Sequence, residues 1–506
     1  MNMKRTAPFF AALFAGSLLA GAAIDNSALM PPYKPDAEVV MEKDAEGGET
    51  PDWIKSLIIV ELRIHSASTD GTVKGLLPAL DHLAEMGVNG VWLTPPINGG
   101  NGYGNFGIHT LSPLLTGEKN PVKQWQVLRN FVDEAHKRNI RVFFDVVNWG
   151  ATKHEGGSRL LKEKPEWFGE YFAPYAGWFF NWENRELNEW FSSRLVEWFL
   201  MTGVDGFRCD CAPNYSGFGP FETAKKRMRS FGRKVVFMAE WTSSGKNVFD
   251  LDQLTFCFTD AKGKRRTHWV GDVYLKKNIV DMVRSGEELR AWDDMEREPG
   301  TKRFYTYMLS CHDSDHYIVK GSPITIGYQA IFAPFIPLWY VGEEWDNAPR
   351  FFVDYFYRRD KHPVPKKWRL YGNVIDWAQK EENRDFFELV KKMIRIRRQH
   401  PEIFEYFPGS HRDSNICKVA TDRPGLLQAY ARFRNGRAVL IVPNNTEKAE
   451  RFRITIPFRE AELAAGKTYR VTDLLEDRTA AEVRNGSFEA EIAAGQLGVF
   501  LVAPAE

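Results

Sequence analysis

From Leu57 to Val341 short apolar runs alternate with amphipathic stretches of helical period, and this rhythm limits the fold more than any other feature of the chain. Leu57–Leu62 is an apolar run interrupted only by Glu61, as expected of a strand covered on both faces. Leu76, Leu77, Leu80, Leu83 and Met86 then recur at helical spacing, and Gly87 stops that helix. Val88–Leu93, Arg141–Val147, Gly206–Cys211 and Val235–Glu240 read as further strands. Weaker signals at Leu254–Phe258, Tyr305–Ser310 and Leu338–Val341 bring the set to eight.

Two arrangements accommodate such a series: a closed (β/α)8 barrel, with right-handed crossovers, or an open doubly wound sheet. The strand count favours the barrel. So does the placing of polar residues, because Asp145, Asp210, Glu240 and His312-Asp313 fall at or just past the C-terminal ends of different strands. That face carries the active site in barrels, whereas an open sheet gathers its site at one crevice, usually with a glycine fingerprint that this chain lacks.

Residues 149–182 are too long and too aromatic for an ordinary connection and read as an inserted subdomain after strand 3. Beyond Pro401 the helical period ends. Ala438–Val442, Arg451–Ile456, Thr468–Val471, Ser487–Ile492 and Gly498–Val502 are short strands separated by turns such as Asn435-Gly436 and Asn485-Gly486. The expected architecture is therefore an α/β TIM barrel over 53–404, with the insertion at about 149–182, and a C-terminal all-β sandwich over 405–506.

At the other end, Lys4 and Arg5 precede an apolar stretch from Ala7 to Leu19, followed by Ala20-Gly21-Ala22. This order predicts a secretory signal peptide over 1–23, a polar lead-in over 24–52, and an exported, periplasmic or extracellular, protein. The stretch is shorter than the roughly 20 apolar residues of a spanning helix, so no membrane span is expected. Charge is balanced, 67 Lys+Arg against 66 Asp+Glu, which provides no basic field for nucleic acid. Five cysteines show no metal-ligand spacing and read as buried free thiols.

The chemistry resides in Gly206-Phe207-Arg208-Cys209-Asp210. Residues two apart on a strand share a face, so Arg208 accompanies Asp210 and favours its ionised form, as a carboxylate nucleophile requires. A structural ion pair inside a barrel fits the same spacing. Glu240 closes the apolar run Val235–Ala239; apolar surroundings raise a carboxyl pKa, the condition for a general acid, though a strand-end Glu also serves as a loop residue. Together with His312-Asp313, these groups lie on three strand ends of one barrel face.

The chain resembles the α-amylase family, glycoside hydrolase family 13, over essentially the whole mature sequence. The resemblance is carried by Asp145-Val146-Val147, Gly203–Asp210, Met238-Ala239-Glu240-Trp241, Cys311-His312-Asp313 and Gly342-Glu343-Glu344. It implies a retaining α-glycoside hydrolase acting on α-glucans such as starch and maltooligosaccharides. Asp210 would be the nucleophile, Glu240 the acid/base and Asp313 the transition-state stabiliser. Tyr103, Arg208, His312, Asp145 and Trp241 would contact substrate, Tyr103 by stacking beneath the cleaved sugar. An α-glucosidase or a transglycosylase on the same scaffold shares this chemistry, and a catalytically silent glucan-binding protein is the alternative of another class. The tryptophans of the insertion, Trp149, Trp167, Trp178 and Trp182, would either line sugar subsites or form the subdomain's core.

The pattern also departs from the family. After Asp145-Val146-Val147 stand Asn148-Trp149-Gly150 where the family has Asn and His. A subsite His is therefore lost, and the Asn that usually helps hold calcium, the candidate cofactor, is missing or shifted to Asn148. Gly107-Ile108 replaces a frequent Asp-Tyr, and Cys311 replaces an Asn.

Overall fold

The computed structural model describes residues 50–97, 103, 111–152, 160–173, 176–212, 217–240, 248–253, 256–259, 265–268, 304–308, 312, 323–345, 375–405, 415–423 and 428–505. Eight parallel strands close into a barrel: β1 (Ile59–Leu62), β2 (Gly90–Leu93), β3 (Arg141–Val147), β4 (Gly206–Asp210), β5 (Val236–Ala239), β6 (Leu251–Gln253), β7 (Phe304–Met308) and β8 (Ile336–Tyr340). Each pairs with its sequence neighbours, and β8 returns to β1 through Ile59 opposite Leu338. The apolar runs explain this, since all four residues of β1, β2 and β5 are buried. Gly206 is needed for register: a Cβ there would come within 2.5 Å of the Phe143 ring and 2.7 Å of the Val236 carbonyl oxygen.

The helices between strands stop and start where their chemistry dictates. Leu77–Met86 buries Leu80, Leu83 and Met86 and ends at Gly87, whose φ of +84° lets its N–H reach the Ala84 carbonyl. Pro121–Lys137 is capped by the Asn120 side chain, and Arg185–Thr202 by Asn184. Sequence reasoning misplaced the sixth strand. Leu251–Gln253 pairs with β5 and β7, while Phe256–Thr259, overlapping the expected Leu254–Phe258 run, forms a separate antiparallel pair with Arg265–His268. A three-residue strand with Asp252 at its centre has too little apolar length to announce itself beside a Phe-rich hairpin.

After β3 comes a three-stranded antiparallel sheet of Gly150–Thr152, Gly177–Phe180 and Phe168–Phe172, with the second in the middle. The C-terminal part is two antiparallel sheets around a common core. Six strands include Tyr430–Arg434, Arg437–Pro443 and Leu497–Pro504; three include Glu450–Thr455 and Ser487–Ile492. It is joined to the barrel by buried Arg432, which donates to the backbone carbonyls of Ala333 and Ile403. Within the barrel part, buried Arg397 donates likewise to the carbonyls of Ile331 and Phe335. They satisfy the orphan acceptors left where the helix Ile324–Ile331 ends. Burial, and the charge of Arg432, lower the pKa of Arg397 to about 9. Among the described residues no helix is long and apolar enough to cross a membrane.

Candidate active site

Strand register places the acids. Asp145 on β3 is opposite Arg208 on β4, and Cys209 is opposite Ala239 on β5, so the next step along each strand puts Asp210 beside Glu240. One guanidinium ties the three carboxylates together. Arg208 Nη1 donates to Asp210 Oδ1 at 2.7 Å and to Asp145 Oδ2 at 3.1 Å, and Nη2 lies 3.0 Å from Glu240 Oε1. A carboxylate oxygen of Asp210, one of Glu240 and the Cys211 thiol all lie within 4.8 Å of one another. The guanidinium sits over the Trp92 ring, 4.8 Å from its centroid, and Trp92 Nε1 donates to Asp145 Oδ2 at 3.0 Å.

Burial decides the electrostatics. By itself it would weaken the Arg208 charge, but Asp145, Glu240 and Asp210 outweigh it and hold the guanidinium pKa well above its usual value. Burial, with the charge of Asp210 adding to it, pushes Asp145 up to about 7 despite Arg208. Three carboxylates against one guanidinium leave negative charge in excess around Asp145, which therefore holds a proton more readily than an isolated carboxylate does.

A second layer stands on β1, β2 and the turn after β7. The Tyr103 hydroxyl donates to Asp145 Oδ2, and its ring stacks on His312 with centroids 4.4 Å apart and planes 14° apart. His312 Nδ1 lies 2.5 Å from Glu61 Oε1, and the His312 backbone N–H donates to Glu61 Oε2 at 3.2 Å. The structure thus brings together Asp145, Arg208, Asp210 and Glu240, with Tyr103 and His312 beside them. Asp313 and Trp241 lie outside the described residues.

The first part of this frame matches a family model, "Alpha amylase, catalytic domain", over residues 43–178. Alpha-amylase 2 of Dictyoglomus thermophilum is 22% identical over 465 residues, 83% of this chain and 74% of that protein. Malto-oligosyltrehalose trehalohydrolase of Saccharolobus solfataricus is 29% identical over 163 residues, 31% of this chain and only 27% of that protein. A maltogenic alpha-amylase from Thermotoga neapolitana superposes with a TM-score of 0.65 at 19% identity, covering 89% of this chain and all of that one.

The chain is similar to the α-amylase family.

Its departures from that family's pattern have structural consequences. Trp149 stands where the family has the calcium-binding Asn; it is buried and packs edge-on against Phe179, and its indole offers no oxygen. Asn148 is fully buried, and neither atom of its side-chain amide has a hydrogen-bond partner. Asn148 by itself offers one neutral side-chain oxygen, where calcium takes six to eight oxygen ligands. Among the described residues the one cluster of three acidic or thiol ligands is Asp210, Cys211 and Glu240, which belongs to the acid site itself.

The tryptophans of the insertion divide. Trp149 and Trp167 are core, Trp167 packing on Trp190, while Trp178 and Trp182 are half-buried. Two contributors escaped the sequence reading. Glu61 was visible only as the acidic residue in an apolar run. Glu344 is a latch: its carboxylate meets His82 Nε2 at 2.7 Å, Trp339 Nε1 at 3.0 Å and the Gly342 N–H at 2.9 Å, tying the end of β8 to the helix Leu77–Met86. The motif Gly342-Glu343-Glu344 was the signal for it.

Proposed function

We propose that this protein hydrolyses α-glucans with retention of anomeric configuration, Asp210 serving as nucleophile and Glu240 as acid/base. The observation that carries this reading is the approach of the Asp210 and Glu240 carboxylates to within 4.8 Å at the mouth of the barrel. Retaining enzymes hold their two carboxyls about 5–5.5 Å apart, whereas inverting ones leave about 6.5–9.5 Å for a water. Glu240 protonates the glycosidic oxygen as Asp210 Oδ2 attacks the anomeric carbon; Oδ1 is already engaged by Arg208. The leaving sugar departs with that proton. Glu240, now a carboxylate, takes a proton from water, which displaces Asp210 and restores both groups. Asp313 is the third acid of this scheme, stabilising positive charge on the sugar ring, and Trp241 contacts the bound glucan.

Incubation with amylose, pullulan, maltotriose and sucrose, followed by chromatography and NMR of the first-formed anomer, tests the reading. An α-anomer from wild type and loss of nearly all turnover in Asp210→Asn are expected. A β-anomer, or an Asp210→Asn variant as active as wild type, refutes the assignment. The same reading holds the protein to be exported after removal of residues 1–23, which N-terminal sequencing of the mature protein checks.

A further inference from the structure

Glu61 is a carboxyl without exposed surface at the end of β1, on the face of the barrel where Asp210 and Glu240 stand. Burying a carboxyl is costly unless its oxygens are well met. Both oxygens of Glu61 are spent on one residue, Oε1 on the His312 ring and Oε2 on its backbone N–H. The imidazole is then held flat against Tyr103 and edge-on to Trp92, 5.6 Å away, the same indole that carries Arg208 on its ring and bonds Asp145. Among the described residues, the charged and titratable groups around Glu61 include Arg208 from β4, Arg63 just past β1, Glu343 just past β8, and Tyr103.

We infer that Glu61 is a positioning residue of the glucan site: by engaging Nδ1 of His312 it keeps a proton on Nε2, so that His312 presents a hydrogen-bond donor to a sugar hydroxyl. The proton count is explicit. When the pair shares one proton beyond the neutral ring, either Glu61 is protonated and donates to Nδ1, or Glu61 is a carboxylate facing an imidazolium. Nε2 carries hydrogen in both forms. Only when that proton leaves does the remaining one settle on Nδ1, facing Glu61, and turn Nε2 into an acceptor. Burial, acting against Arg208, pushes Glu61 up to about 8, which extends the donor form beyond the usual range of imidazole. In Glu61→Gln the amide oxygen takes the His312 backbone N–H and the amide NH2 donates to Nδ1, so Nε2 keeps its hydrogen at every pH.

The inference rests on the α-glucan reading, so the experiment separates the two. Maltotetraose binding is measured by calorimetry from pH 5.5 to 9 in the Glu240→Gln background, with and without Glu61→Gln. With Glu61 present, affinity should hold to about pH 8 and fall by about tenfold above it, roughly the size of one hydrogen bond; with Glu61→Gln it should hold to pH 9. Superimposable pH curves overturn the inference. No binding with Glu61 intact, or continued hydrolysis by Glu240→Gln, sinks the α-glucan reading instead. In a His312→Asn background Glu61→Gln should leave the pH curve unchanged; a change as large as the one seen with His312 present would show that Glu61 does not act through His312.

Discussion

The backbone N–H of Cys211 donates to the Glu240 carboxylate, so the residue that follows one acid of the site holds the other. To make that bond Cys211 adopts a φ of +57°, a left-handed conformation that side chains rarely take. Cys211→Gly keeps the N–H and removes the steric cost, while losing chain entropy. Its stability should stay within about 1 kcal/mol of wild type, with activity retained. Cys211→Val asks a β-branched residue to hold the same backbone and should lose about 1–3 kcal/mol together with most turnover. Urea unfolding and steady-state kinetics on a chromogenic maltooligosaccharide check the pair. Equal behaviour of the two variants would dismiss the backbone argument.

Arg208 carries more electrostatic weight than any one of its acids. Replacing it by Met leaves Asp145, Asp210 and Glu240 to repel one another in a buried site. Stability should fall by about 3–5 kcal/mol, the cost of breaking a buried ion pair, and kcat/KM by about 10²–10³-fold or more. Arg208→Lys has the charge but not the fork that spans two strands, and it should recover stability better than activity.

Much of this site is legible in the amino-acid sequence because strand period is a strict rule. Arg208 and Asp210 are two apart, so they share a face, and Glu240 ends an apolar run at the matching level of the next strand. What could not be read depended on partners from distant strands. Glu61 is separated from His312 by 251 residues, and nothing local marks an acid in an apolar strand as the holder of a particular imidazole. The short strand Leu251–Gln253 was lost for the opposite reason: its identity comes from two neighbours, not from its own composition. In the C-terminal domain, the edge strands Ile416–Lys418 and Arg478–Val483 were missed because Lys, Arg and Glu interrupt their apolar alternation, and Tyr430–Arg434 because Arg432, though buried, breaks its apolar run.

Tyr103 offers two separable contributions, a ring on His312 and a hydroxyl on Asp145. Burial, with the charge of Asp145 adding to it, raises the phenol pKa well above its usual value, so the hydroxyl stays a donor throughout the working pH range. Tyr103→Phe keeps the stack and should lose up to about tenfold in kcat/KM, one hydrogen bond's worth. Tyr103→Ala removes the ring as well and should lose about 10²-fold, mostly in KM. Equal losses in the two variants would mean that the ring face contributes nothing to binding.

Asp205 supports the site from below. It precedes β4, and its carboxylate accepts from Arg141 Nη1 and Arg233 Nη2, both at 3.0 Å, and from the Val142 N–H at 2.9 Å, with His136 Nε2 at 2.8 Å. Those partners come from β3, the preceding helix and the segment leading into β5, all at the N-terminal end of the barrel, where polar networks serve stability. Burial would raise this carboxyl, but His136, Arg141 and Arg233 outweigh it and hold the pKa far below the usual range. For an acid depressed in the folded state, the stabilisation is fully present above the unfolded value of about 3.9 and is lost as pH falls toward the folded one. Asp205→Asn should therefore cost about 3 kcal/mol or more at pH 7, since two guanidinium groups lose their counter-charge. Below about pH 4 the gap to wild type should close by about 1.4 kcal/mol per pH unit, because only the wild-type unfolded chain gains a proton there. Denaturant titrations of both proteins at pH 7, 4 and 3 measure it, and a gap that does not change between pH 4 and 3 would show that Asp205 is not held ionised by this network.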